Sequence, residues 1–307
     1  GAPYFVRFWT ACKMLVLAVG KTLVPFGMSV TYTYNRLPYA VGPFEQYGVP
    51  FAGLLLLLVS TAVSIWKRTR TGPLGIGSAV FVSSYLLSSK FIFNAGDLFA
   101  ERWLYVPSIG TAIVVGWVLF RFSSRSRVGV VVFVATFAVL YGIVIIPRNM
   151  IWKDRLSLYQ SMVYDAPASV VSHAFLGKYL LLNYLDIEAA DELAKASLSI
   201  YPEYGRGKLL LARVYLYRKN YEETERMLNE LFESKGSNPE SLAVLARLRT
   251  AQKRYEESND ILLTHDLLTK SSTKYEAREA AAINYYYLGD YDKAQEYAQK
   301  VPAEDVY

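Results

Sequence analysis

The sequence has few of the residues that build disulfides and transition-metal sites. Its single cysteine, Cys12, excludes an internal disulfide and a cysteine-based metal site. The two histidines, His173 and His265, are too few for a histidine metal cluster. Charged residues make up only 20% of the 307 residues and hydrophobic residues 53%, which excludes disorder and a charged coiled coil. We therefore expect a folded protein without a metal site.

Several common functional motifs are also missing from the sequence. It contains no phosphate-binding glycine loop, no zinc-ligand spacing and no set of serine, histidine and aspartate in a recognisable order. No stripe of basic residues alternates with aromatic residues, so we expect no nucleic-acid partner. The net charge of +6 is mild, and in a membrane protein it reflects cytoplasmic loops. We expect no cofactor bound within this chain.

Long apolar runs fill the first half of the sequence. A helix needs about 20 apolar residues to cross the ~30 Å hydrocarbon layer of a bilayer. Four segments meet this length and carry few charges: 48–66, 74–93, 103–122 and 128–146. We therefore predict a multi-pass transmembrane domain over 1–147, in contact with membrane lipids.

A further apolar segment, 4–26, differs because it carries Arg7, Lys13 and Lys21. Three cations on a lipid-facing span are costly. The neighbouring aromatic residues are typical of a helix that lies in the membrane interface. The sequence leaves two alternatives open for this segment, an interfacial helix and a tilted span.

Positive charges predict the orientation of the spans. They cluster in the loop after the first span and in the loop after the third, at Lys67, Arg68, Arg70, Arg121, Arg125 and Arg127. The positive-inside rule assigns both loops to the cytoplasm. The loop 94–102 and everything after Ile146 then lie on the other side, in a periplasm or in the lumen of the endoplasmic reticulum.

After a junction over 148–169, the sequence becomes periodic. Small residues recur at intervals of 35, 34 and 36, in the pairs Leu176-Gly177, Leu211-Ala212, Leu245-Ala246 and Ala281-Ala282. This period predicts about four tetratricopeptide (TPR) repeats over 170–307, at 170–203, 205–239, 240–274 and 276–307. The alternative is an irregular helical bundle. The predicted fold class is all-α, a polytopic transmembrane helix bundle followed by a TPR helical-repeat solenoid.

A TPR solenoid has a concave surface that suits an extended peptide or a partner helix. Aromatic anchors of the kind that interfaces favour occur on the predicted repeats, at Tyr215, Tyr217, Tyr285, Tyr286 and Tyr287. The helical period places some of them in the core. We expect the repeats to bind a protein or peptide, or other subunits of a membrane complex.

The segment 94–110, NAGDLFAERWLYVPSIG, resembles a signature of the transmembrane and tetratricopeptide O-mannosyltransferases, the TMTC family, and of their bacterial relatives. The segments 23–34 and 147–152 are similar to two further stretches of that family. The resemblance implies a GT-C type glycosyltransferase that transfers a sugar, mannose in this family, from a polyprenyl-phosphate donor.

The sequence departs from the family pattern in its acidic residues. The family's acidic catalytic pair stands on an external loop that precedes the region matched here, and Thr31 stands where the family has aspartate. We therefore expect this chain to be the C-terminal part of such a protein, with its catalytic residues upstream. The alternative is a catalytically incomplete, membrane-anchored TPR scaffold, a subunit of a larger membrane complex.

Candidate donor-binding residues lie around the third span. Arg102 is our candidate for the donor phosphate, because guanidinium binds phosphate oxygens in a bidentate manner. Lys90 either binds an anionic headgroup or extends to the interface. The supporting polar candidates are Glu101, Asp97 and Asn94, and the candidate substrate contacts are Tyr32, Tyr34 and Tyr105. The structural alternative is that Arg102 pairs with a neighbouring carboxylate and anchors the loop.

Overall fold

The computed structural model describes residues 3–24, 27, 29–30, 32, 38–89 and 101–301, apart from the side chains of Ser88 and Glu101. Throughout these residues the regular secondary structure is helical and no β-strand occurs, which confirms the all-α prediction. The chain divides into two compact units between Ser169 and Val170.

The first unit contains six α-helices among the described residues. They are α1 (Tyr4–Leu23), α2 (Glu45–Ile65), α3 (Pro73–Ser88), α4 (Tyr105–Ser123), α5 (Arg127–Met150) and α6 (Arg155–Asp165). A 3₁₀ helix over Glu101–Leu104 leads into α4, and another over Ile151–Lys153 follows α5. Three helical stretches are long and apolar enough to cross a membrane, Glu45–Ile65, Arg102–Ser123 and Arg127–Lys153, which associates the chain with a membrane.

The segment predicted to span the membrane over 74–93 is a shorter helix in the structure. The helix α3 has 16 residues, and at a rise of about 1.5 Å per residue it covers about 24 Å, less than the hydrocarbon thickness. Positions 90–93 of the predicted span lie outside the described residues.

The helix α1 packs inside this unit. Gly53 of α2 lies so close to the Cys12 carbonyl that a Cβ on Gly53 would come within 1.8 Å of the oxygen. The hydroxyl of Tyr85 in α3 donates a hydrogen bond to the Ala11 carbonyl, and the hydroxyl of Tyr141 in α5 donates one to the Thr22 carbonyl. The helices α2, α3 and α5 therefore each contact α1.

The helices α3 and α4 run antiparallel and touch through glycines. Gly77 lies against Val114, and Phe81, one turn later in α3, lies against Gly110, one turn earlier in α4. A Cβ on Gly110 would come within 2.5 Å of the Gly77 carbonyl oxygen. Small residues at a membrane helix interface allow such close backbone approach.

The second unit is built from four consecutive pairs of helices. The pairs are α7 (Val170–Tyr184) with α8 (Ile187–Ile200), α9 (Gly205–Tyr217) with α10 (Tyr221–Lys235), α11 (Pro239–Ala251) with α12 (Tyr255–Thr264), and α13 (Lys274–Tyr287) with α14 (Tyr291–Gln299). Of the small residues that recur in the sequence, Gly177, Ala212 and Ala246 are buried, and in the fourth pair Ala281 is buried and Ala282 is half-buried. Each position therefore allows the first helix of a pair to pack closely on its neighbours.

The turn inside each pair repeats the same backbone conformation. The residue at equivalent positions has a positive φ angle, 52° at Leu185, 58° at Lys219, 64° at Lys253 and 84° at Gly289. Three of these four residues carry a side chain, although L-residues disfavour this left-handed region. The recurrence shows that the four pairs are structural repeats.

Candidate functional site

The structure describes only part of the predicted donor site. Lys90, Asn94, Asp97 and Tyr34 lie outside the described residues, as does the side chain of Glu101. Their proposed roles stay predictions. Arg102, Tyr105 and Tyr32 are described.

Arg102 lies in the 3₁₀ turn that leads into α4. Its side chain is exposed, and its guanidinium carbon Cζ is 5.9 Å from the centroid of the Trp103 ring. Tyr105, the first residue of α4, is 77% exposed. The guanidinium charge of Arg102 therefore favours an anionic group at this place.

Tyr32 occupies a different environment, because its side chain is only 3% exposed. The phenol oxygen accepts a hydrogen bond from the Ser29 backbone N–H at 3.2 Å. The ring belongs to an apolar cluster with Leu15 and Tyr85, and Leu104 packs against the same cluster. The structure thus brings Tyr32 close to the segment that carries Arg102, but as a packing residue and not as an open surface for a ligand.

A second candidate site lies in the repeat unit, and we call it the tyrosine cavity. It has a volume of about 420 Å³, within the range of ligand pockets. Its polar and aromatic lining consists of Tyr217, Lys219, Tyr221, Arg247, Thr250, Lys253, Tyr255, Glu279 and Tyr287. The rings of Tyr255 and Tyr287 are stacked with centroids 5.0 Å apart.

Arg247 at this cavity is held by several partners. Its guanidinium lies over the Tyr217 ring at 5.3 Å, and its nitrogens are 3.5 Å from a Glu276 oxygen and 3.7 Å from a Glu279 oxygen. Burial by itself lowers the pKa of Arg247, but these acidic neighbours outweigh it and raise the pKa above its ordinary value. Arg247 therefore stays charged and has its partners within the protein.

Sequence reasoning identified Tyr217 and Tyr287 of this cavity but missed its lysines. A signal was present, because Lys219-Asn220-Tyr221 and Lys253-Arg254-Tyr255 repeat the order Lys-X-Tyr at an interval of 34. Each triplet spans the turn inside a helix pair. Because the turns repeat in the structure, both lysines and both tyrosines line one cavity.

No family model matches the chain. The chain is 25% identical to the mouse (Mus musculus) protein O-mannosyl-transferase TMTC1 over 215 residues, which cover 66% of this chain and 22% of that protein. The human (Homo sapiens) TMTC1 is 23% identical over 210 residues, 65% of this chain and 23% of that protein. The chain is TMTC-like in sequence.

The fruit-fly (Drosophila melanogaster) protein O-mannosyl-transferase Tmtc1 is also similar, at 29% identity over 135 residues that cover 42% of this chain and 16% of that protein. These relatives confirm the resemblance predicted from the sequence motifs. All three are named as protein O-mannosyl-transferases, and this chain spans less than a quarter of the length of the mouse and human proteins.

Within the described ranges, no group of three or more histidine, cysteine, aspartate or glutamate residues is arranged to hold a metal ion. Two features of the described residues that bear on ligand binding are the arginine before α4 and the tyrosine cavity of the repeats.

Proposed function

We propose that this chain is part of a membrane glycosyltransferase that takes a sugar from a polyprenyl-phosphate donor and transfers it to a protein acceptor held by its TPR repeats. The observation that carries the proposal is the similarity to protein O-mannosyl-transferases over about two thirds of the chain. The order of elements along the chain also supports it, because long apolar helices come first and helical repeats follow.

The proposed protein crosses the membrane several times. Because α3 runs antiparallel to α4, the loop before α3 and the loop after α4 lie at the same end of this helix pair. Both loops expose their basic residues, which include Arg68, Arg70, Arg125 and Arg127. The positive-inside rule assigns that end to the cytoplasm. The start of α4, with Arg102, then faces the other side, and so do the TPR repeats.

We also infer that α1 spans the membrane in preference to lying in its interface. Its contacts with α2, α3 and α5 support this. Two of its cations are bonded within the protein, with Lys13 Nζ donating to the Pro38 carbonyl at 2.8 Å and Lys21 Nζ donating to the Gly27 carbonyl at 2.6 Å. Bonded cations that face protein cost less in a membrane than cations that face lipid.

In the proposed reaction, Arg102 binds the phosphate of the donor. The bond between the sugar's anomeric carbon and the phosphate oxygen breaks, and a bond to the acceptor oxygen forms. Polyprenyl phosphate leaves with one more negative charge, and the acceptor's hydroxyl proton passes to a base. A guanidinium stabilises the leaving phosphate because its charge grows in the transition state. Lys90 is the further candidate for this phosphate, and Glu101, Asp97 and Asn94 are the supporting polar candidates, which orient Arg102 or hold an acceptor hydroxyl.

A transfer assay tests the proposed function. The protein is expressed from its complete reading frame, reconstituted in liposomes, and supplied with tritiated mannosyl polyprenyl phosphate and with native and denatured extracellular proteins as acceptors. We expect tritium to be incorporated on acceptor hydroxyl groups only when the reconstituted membrane protein is present. A folded, reconstituted protein that transfers no sugar and co-purifies with other membrane subunits would instead be the scaffold that the sequence left as an alternative.

A further inference from the structure

We propose that the tyrosine cavity binds an extended acceptor segment in which carboxylate side chains alternate with aromatic ones. The proposal rests on the proposed function in one respect, since it takes the repeats as the place where the acceptor protein is held. It adds the location of that contact and the chemistry of the segment.

The position of the cavity suits an extended chain. Its wall is formed by three consecutive helix pairs, through Tyr217 at the end of α9, Arg247 in α11 and Tyr287 at the end of α13. A segment that lies across these helices can contact several repeats at once, as solenoid surfaces allow. The volume of about 420 Å³ is enough for a few side chains and not for a folded domain.

Among the described residues, the charged side chains of the cavity that form no ion pair are positive. Arg247 pairs with both Glu276 and Glu279. Lys219 and Lys253 have no ion pair with any part of the chain that the structure describes, and both are exposed. They stand at equivalent positions of neighbouring turns, 34 residues apart. Two ammonium groups without a partner at one cavity select a ligand that carries carboxylates.

The tyrosines of the cavity supply rigid apolar contact. The Tyr255 and Tyr287 rings stack at an angle of 5°, and Tyr217 is held by the Arg247 guanidinium. A tyrosine that is already fixed loses little conformational entropy when a ligand binds, so it is an efficient anchor. Its partner in a peptide is an aromatic or large apolar side chain.

The remaining polar groups favour a peptide over a glycan. A sugar needs several hydrogen-bond partners for its hydroxyl groups. The Thr250 hydroxyl is bonded to the Ala246 carbonyl at 3.1 Å and to the Asn284 side chain at 2.8 Å, and Glu279 pairs with Arg247. The groups left to a ligand are mainly the two ammonium groups and the tyrosines, and the positive charge favours carboxylate side chains over the neutral hydroxyl groups of a sugar.

Peptide binding to the full chain in detergent tests the proposal. The probe is a fluorescein-labelled pentapeptide that alternates aspartate with phenylalanine, and the readout is fluorescence anisotropy. We expect it to bind more tightly than pentapeptides that alternate asparagine or lysine with phenylalanine. Binding should weaken as NaCl is raised from about 0.05 M to about 0.5 M, because exposed charges are screened.

Two cavity variants locate the binding. The double variant Lys219→Asn/Lys253→Asn should bind the acidic peptide about three- to tenfold more weakly, as expected for two exposed charge contacts. Asparagine tolerates a positive φ angle, so the turns should keep their conformation. Tyr287→Ala, at a ring that is 64% exposed, should also weaken binding, without loss of helical content in circular dichroism.

Matched controls stand outside the cavity. Lys235→Asn/Lys270→Asn removes the same charge, and Tyr164→Ala removes an exposed ring; neither should change the affinity. Equal binding of the acidic and basic peptides, or an unchanged affinity in both cavity variants, would overturn the proposal. Displacement of the peptide by a mannose oligosaccharide at the same affinity would also overturn it, in favour of a glycan site. The transfer assay tests the proposed function independently of these binding measurements.

Discussion

Arg213 in α9 and Glu276 in α13 form a buried ion pair, although the helix pair α11 and α12 lies between them in the sequence. Both side chains are only 3% exposed. Arg247, from the intervening helix α11, brings a second guanidinium to within 3.5 Å of the same Glu276 oxygen. One carboxylate therefore connects three consecutive repeats, and it stands behind the tyrosine cavity because Arg247 lines that cavity.

Removing this carboxylate should destabilise the repeats strongly. The variant Glu276→Gln leaves Arg213 buried without its counter-charge, and breaking a buried pair in this way costs about 3–5 kcal/mol. Hydrogen–deuterium exchange should show faster exchange in α9, α11 and α13. The double variant Arg213→Met/Glu276→Leu replaces the pair with apolar groups and should be less destabilised. A double variant as unstable as Glu276→Gln would contradict this.

The same carboxylate predicts how stability depends on pH. Burial alone raises the pKa of Glu276, but the charges of Arg213 and Arg247 outweigh it and hold the pKa below its ordinary value of 4.5. The unfolded chain therefore takes up this proton at a higher pH than the native chain does. The contribution of Glu276 to stability is complete above pH 4.5 and is lost as the pH falls through the lower native pKa.

Thermal unfolding followed by circular dichroism checks this dependence. The difference in melting temperature between the wild type and Glu276→Gln should be largest near pH 7 and should shrink toward pH 3. A difference that does not change over this range would show that the charge of Glu276 contributes nothing to the stability of the repeats.

One repeat lacks a helix cap that the others have. In three pairs the residue before the second helix, Asp186, Asn220 or Asp290, accepts a hydrogen bond with its side chain from a backbone N–H of the first turn. The equivalent residue before α12 is Arg254, which has a similar backbone conformation and no such bond. Arg254→Asn should stabilise the repeats by about 0.5–1 kcal/mol, after the loss of an exposed pair with Glu257.

Urea unfolding measures this gain, with Arg254→Ala as the control. The alanine variant loses the same ion pair but gains no cap, so its urea midpoint should not rise. If both variants shift the midpoint equally, the cap is not the cause.

The contact of α3 with α4 should tolerate a methyl group at one glycine of α4 and not at another. A Cβ on Gly110 would meet the Gly77 carbonyl oxygen at 2.5 Å and the Phe81 backbone nitrogen at 2.6 Å, whereas a Cβ on Gly116 would meet nothing within 4 Å. Gly110→Ala should therefore cost about 1–3 kcal/mol through overpacking. Gly116→Ala should be neutral or stabilising, since alanine favours helix. Thermal stability in detergent compares the two variants.

Much of the fold could be predicted from patterns that depend on local spacing. The intervals between Gly177, Ala212, Ala246 and the pair Ala281-Ala282 reflect close helix packing, and Gly177, Ala212, Ala246 and Ala281 are buried in the structure. The packing of α1 could not be predicted, because it depends on which helix meets Cys12. No spacing in the sequence pairs Gly53 with Cys12 across 41 positions.

The candidate sites show the same limit. Arg102 was proposed because it stands at the end of an apolar run within a recognisable motif, and its role stays a prediction. The burial of Tyr32 could not be predicted from composition, since an aromatic residue in a loop looks the same in sequence whether it packs or binds. The contribution of Lys219 and Lys253 became evident only when three helix pairs placed them around one cavity.

The central claim is that Arg102 binds the donor phosphate during sugar transfer. The most direct test compares the transfer activity of variants at two arginines of one apolar helical stretch. Arg102 precedes α4 and Arg121 lies near its other end, and both are exposed. In the reconstituted transfer assay, Arg102→Ala should lower kcat/KM for the polyprenyl-phosphate donor by about ten- to a hundredfold, as for a lost charged hydrogen bond. Arg102→Lys should recover part of this, and Arg121→Ala should match the wild type. Equal transfer by the Arg102→Ala and Arg121→Ala variants, or no transfer by the folded wild type, would contradict the account.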